Sequence, residues 1–244
     1  MQQATLSFFW SERQYSGGEY IEAIKESLRR LNQISERFAN MLVLGETPEE
    51  THPLDSELRN ANDLILSALP RDWAYRSPEG ELTAPNTSCY TPAGFANTFV
   101  TSLNYSDDHA VLEICAGSSK FDDQSSAILK LRGQSWLAPD LLKGVFTATL
   151  DSWHPWYACC QIESPHSPSP YQPLSEIPVG WLTFIRNDQV ELAVPKHFNS
   201  RAHDNGVLIE LPLSKGDQIA SPNREIQELR AALDAAGLLA DPIL

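Results

Sequence analysis

Six histidines, His52, His109, His154, His166, His197 and His203, are the first place to look for metal ligation or proton transfer near neutral pH. His197 and His203 flank a polar loop with Asp204 beside the second of them, an arrangement in which a metal can be imagined. Their spacing matches no zinc signature, and no glutamate stands next to them as a base. Cys89, Cys115, Cys159 and Cys160 do not supply a zinc spacing either. Adjacent Cys159 and Cys160 point to opposite faces if their segment is a strand, so the four read as buried, reduced thiols. For nucleophilic chemistry, both a Gly-x-Ser-x-Gly elbow and a glycine-rich phosphate loop are missing. Ala116-Gly117-Ser118-Ser119-Lys120 echoes a phosphate cradle but lacks the spaced glycines, and a hairpin-end turn explains it better. Carboxylates are plentiful, which leaves open a hydrolase assembled from scattered residues, yet no pair is singled out. The expectation is a protein without catalytic residues, metal or cofactor.

What remains is recognition. The chain carries 32 acidic against 18 basic residues, a net charge of -14. Such a surface repels phosphates, so nucleic acid and anionic membranes are poor direct partners and a cationic protein is a good one. Three acidic segments are candidate contacts: Glu46, Glu49 and Glu50 in one loop, then Asp107-Asp108, then Asp122-Asp123. The competing reading of each is a solvated turn, where Asp is common. Trp153, Trp156 and Tyr157, joined by His154 and Pro155, form an aromatic cluster. It can serve as an interface anchor, or it can be buried at a helix-to-strand junction.

The elements that must carry these residues follow from periodicity. Ala4 to Trp10 reads as a first strand, and Ser16-Gly17-Gly18 breaks the chain before a helix over 19–40. Ile21, Ile24, Leu28, Leu31 and Phe38 form the apolar stripe of that helix. A second helix is predicted over 55–69, stopped by Pro70, and 71–92 is irregular. Strands follow at 97–105, 110–116 and 126–132; as a meander they place the two Asp pairs at opposite ends of the sheet. Pro139 opens a third helix. Further strands are expected at 156–162, 179–186 and 206–211, with a proline-rich loop over 164–173. Ser221-Pro222 opens a last helix that Gly237 stops. The sum is one α+β domain over 1–244, mostly antiparallel, with a long N-terminal helix, a central helix and a C-terminal helix. No apolar run approaches the roughly 20 residues that span a bilayer. The N-terminal residues lack a basic leader, so a cytoplasmic location is expected.

Four stretches in this order resemble the immunity protein 52 family, associated with bacterial polymorphic toxins and type VI secretion. They are the first strand ending in Trp10 with Arg13 close behind, Gly180-Trp181-Leu182-Thr183-Phe184, Gly206-Val207-Leu208-Ile209, and the tail from Ser221-Pro222-Asn223 to Ala235-Ala236-Gly237-Leu238-Leu239. Ser11 stands where the family pattern has glycine. The resemblance implies a non-enzymatic inhibitor that binds a cognate toxin, often one with a restriction-endonuclease-like nuclease domain, and carries over no catalytic residue. An adaptor or chaperone for a secreted effector is the alternative.

Overall fold

Alternation in the first strand organises the molecule. In β1 (Gln3–Trp10), Ala4, Leu6, Phe8 and Trp10 face one side and are buried, while Gln3, Thr5 and Phe9 on the other side are only half-buried. In the computed structural model, the described residues are 2–10, 13–104, 108–118, 125–163, 177–187, 189–213 and 222–239. After β1 come α1 (Gly17–Ile34), β2 (Leu42–Val43), β3 (His52–Pro53), α2 (Ala61–Ser67), β4 (Ala93–Val100), β5 (His109–Ser118) and β6 (Ser125–Arg132). Then follow α3 (Pro139–Trp153), β7 (Tyr157–Glu163), β8 (Leu182–Ile185), α4 (Val190–Ala193), β9 (Asn199–His203), β10 (Gly206–Glu210) and α5 (Asn223–Ala235).

These strands form one ten-stranded sheet in the order β3-β2-β4-β5-β6-β1-β7-β8-β10-β9, with antiparallel pairing throughout the described ladders. The α+β class and the antiparallel meander β4-β5-β6 are those expected. Helices α1 and α3 cover the face that carries Leu6 and Phe8. There Phe8 packs on Phe146 with centroids 5.2 Å apart, and Trp10 stacks on Trp153 at 4.7 Å. The second face is covered at the β7-β8-β10 end. Tyr157 lies opposite Phe9, its hydroxyl donates to the Pro178 carbonyl, and Arg230 of α5 is close to it. Ile226, Leu229 and Leu233 are the buried face of α5. No helix among the described residues is long and apolar enough to cross a membrane.

Departures from the sequence reading have local causes. The first helix starts at Gly17, not at residue 19. Ser16 caps it with Glu19 in a reciprocal pair, and the Gly17 and Gly18 amides donate to Cys89 O (2.8 Å) and Thr87 O (2.7 Å). A Cβ on Gly17 would strike the Asn86 carbonyl, which is why glycine sits at this crossing. The same helix stops at Ile34 because Ser35 is extended, and Phe38 belongs to a separate 3-10 turn. The second helix covers only Ala61–Ser67: Asp55 accepts hydrogen bonds from the amides of Glu57, Arg59 and Asn60, which fixes a turn where the helix was expected. The strand expected over 97–105 runs from Ala93 to Val100. Strands β2, β3 and β9 were not expected. The Ser164–Pro173 loop and Ser221 lie outside the described residues.

Candidate interaction surface

The acidic loop is built as a clamp. Thr47 leads into a 3-10 turn, Pro48–Glu50, and the chain then returns through β3. Arg71, at the far end of α2, reaches back into it. Its Nη2 lies 2.6 Å from Glu50 Oε1, its Nε 3.9 Å from Glu46 Oε2, and its backbone amide donates to Glu46 Oε1 at 3.2 Å. Glu49 is exposed and makes no ion pair among the described residues. One guanidinium against three carboxylates leaves the loop net negative while holding its shape.

Beside this loop the second face of the sheet is open. Successive β4, β5 and β6 residues on that face are Ala96, Cys115 and Ser126 in one row and Thr98, Glu113 and Ile128 in the next. All are half-buried except Cys115, which is exposed. Lys130 crosses diagonally to Glu113, with Nζ 2.9 Å from Oε2 and 3.1 Å from Oε1. Leu44, Glu46 and Pro70 close one side of this surface, leaving an open groove of about 590 Å³ that Ala96, Cys115 and Ile128 also line. Glu46 belongs to both features, so the acidic clamp forms one wall of the groove.

The other expected contacts fare differently. Asp108 is exposed, and hydrogen bonds from the side chain and backbone of Ser135 hold its carboxyl below the usual carboxylate range. It fixes the turn at Gly133–Trp136. Asp107, Asp122 and Asp123 lie outside the described residues. The aromatic cluster does not form a surface platform. Trp153 is 4 % exposed and donates from Nε1 to Ser27 Oγ (3.2 Å), and Tyr157 is 1 % exposed; neither has area to offer a partner. Trp156 is half-buried and packs against the core, its ring 5.7 Å from that of Tyr157. Among the histidines, His197 pairs with Glu228 of α5 at 3.4 Å, whereas His203 and Asp204 meet Asp151 of α3. The sequence reading missed Arg71, Glu113, Lys130 and Asp151. Glu113 and Lys130 were signalled by polar residues alternating with apolar ones; Arg71 and Asp151 come from distant segments and carry no local signal.

The architecture therefore defines an α+β protein: an antiparallel sheet with α1 and α3 on one face, α5 at one end of the second face, and the rest of that second face open beside the acidic loop. No protein-family model matches the chain, and no curated protein matches it. Among solved structures it is similar to the Pseudomonas aeruginosa T6SS protein PA0821, with a TM-score of 0.53 and 13% sequence identity over 99% of this chain and 74% of that chain. At that identity the likeness is one of fold.

Proposed function

We propose that this protein serves type VI secretion as an immunity protein of the kind the immunity protein 52 family comprises. It binds a cognate toxin, a basic nuclease effector, in the cytoplasm and neutralises it by occlusion without itself being an enzyme. The observation that carries the reading is the clamp-walled groove: a negatively charged loop, fixed by Arg71, beside an open sheet face on a chain of net charge -14. A nuclease holds its substrate with cationic side chains, and a fixed set of carboxylates competes for them. The fold likeness to a T6SS protein supports the secretion context. In this reading Glu46, Glu49 and Glu50 meet the toxin's basic residues, and Trp156 is the aromatic with surface to contribute.

Co-expression tests it. Producing the toxin encoded beside this protein in the cytosol should arrest growth, and the protein should restore it while co-purifying with the toxin. Restored export of an effector that stays toxic identifies the protein as an adaptor instead. Failure to bind or rescue overturns the proposal.

A further inference from the structure

Asp151, His203 and Asp204 converge although more than fifty positions separate the first from the others. One ligand atom from each lies within 4.8 Å of the other two. Asp151 sits in the last turn of α3, where the negative helix end disfavours a carboxylate and favours a cation beside it. His203 ends β9, and Asp204 occupies the tight turn into β10 with φ of +47°. Across from that turn, the C-cap of α3 is His154, also left-handed at φ +46°, with Nδ1 3.7 Å from Asp204 Oδ2. Its carbonyl accepts from Arg186, which fixes the corner.

The cluster is shielded on its histidine side: the His203 side chain is 14 % exposed, against 36 % for Asp151 and 56 % for Asp204. His203 Nε2 is buried and meets no hydrogen-bond geometry, although Asp151 Oδ1 is only 3.2 Å away. The contact is one of proximity rather than a hydrogen bond, and it leaves a shielded nitrogen facing a carboxylate. That separation matches the about 3.0–3.4 Å between neighbouring ligand atoms around a divalent ion with bonds of about 2.1 Å. Phe184 meets the His203 ring edge-on at 5.9 Å and holds its orientation. Arg30 approaches the other oxygen of Asp151, Oδ2, at 3.7 Å, so Oδ1 is the oxygen turned toward His203.

We infer that Asp151, His203 and Asp204 bind a divalent transition-metal ion, with His154 lying beside Asp204 at the edge of the site. Imidazole with carboxylates selects zinc and its first-row neighbours over magnesium and calcium, which take all-oxygen sets. The ion would tie the end of α3 to the β9–β10 hairpin.

Zinc chloride titrated calorimetrically into the full chain, after chelator treatment, tests this. One saturable equivalent is expected, with a rise in Tm and no comparable response to magnesium. Asp204→Asn keeps a residue that accepts the left-handed turn, and His203→Gln removes the buried nitrogen; each should weaken zinc binding at least about tenfold. Circular dichroism establishes that both variants fold. Absence of saturable uptake, affinity unchanged in both folded variants, or a preference for magnesium overturns the assignment.

Discussion

At the scale of single residues, burial separates groups of the same type. Cys159 and Cys160 lie in β7 with no exposure, and burial pushes the Cys159 thiol up to about 12 and that of Cys160 well above its ordinary value. Cys89 is buried too, and only Cys115 is exposed. A thiol reacts as thiolate and only where a reagent reaches it. In the native protein a chromogenic disulfide should therefore modify Cys115 alone, and all four cysteines after denaturation; modification of Cys159 or Cys160 before unfolding contradicts the packing. Because Cys115 lines the groove, a toxin bound there should slow that reaction. Two carboxylates make a second residue-level case. Backbone amides, that of Arg59 foremost, hold the Asp55 carboxyl below its ordinary value of 3.8, and Ser135 does the same for Asp108. A lowered folded value means stability that is present above the ordinary value and lost as pH falls through the lowered one. Asp55→Asn should lower Tm at neutral pH, and its difference from the parent should shrink at a pH well below the ordinary carboxylate value of 3.8. Thermal unfolding at both pH values reads this out, and a difference independent of pH excludes the ionised form as the stabilising one.

At the scale of elements, the N-terminus of α1 is the junction on which the helical layer depends. Ser16 and Glu19 satisfy each other's backbone amides there. Ser16→Ala should cost about 1 kcal/mol, or about 2–4 °C in Tm for a chain of this size, measured by calorimetry. An unchanged Tm would mean that the contacts of Gly17 and Gly18 with the 87–89 segment hold the helix end without the cap. The strands and helices that bury one full face were legible in the sequence, because alternation in β1 or β6 and the stripe of α1 are dictated by one-sided burial. What escaped has no such period. Two residues of β2 cannot show alternation, and β9 is polar because it is a sheet edge, where charge and short length discourage further pairing. The helix boundary at Ala61 was hidden because the Asp55 side chain competes for backbone donors, a matter of geometry that composition does not reveal. The acidic loop was readable from its glutamates, but its clamp was not, since Arg71 reaches it only once α2 is packed. For Trp153 and Tyr157 the sequence could not decide between surface and core, because amphipathic aromatics suit both; the stack of Trp153 on Trp10 and the packing of Tyr157 on Phe9 under Pro178 decided it.

At the scale of the whole molecule, a net charge of -14 acts before any contact forms. Its field raises the frequency of productive encounters with a cationic partner, while short-range fit governs how long the complex lasts. These contributions separate experimentally because salt screens the first within about 10 Å at 0.1 M and leaves buried contacts largely intact. If a basic toxin is the partner, its association rate should fall steeply with ionic strength from a low-salt value approaching about 10⁸–10⁹ M⁻¹s⁻¹, while dissociation changes little. Glu49→Lys reverses the one loop carboxylate outside the Arg71 clamp, so it should slow association several-fold at low salt and converge with the parent at high salt. Arg71→Ala is a different perturbation: it makes the loop more negative but releases Glu46 and Glu50 from their fixed positions. If field alone matters, this variant associates faster and dissociates no faster. If the shape of the clamp matters, dissociation accelerates despite the added negative charge, and that is the expected result. Stopped-flow association and surface-based dissociation measurements on the two variants distinguish these outcomes, and association insensitive to both salt and Glu49→Lys removes electrostatic steering from the mechanism.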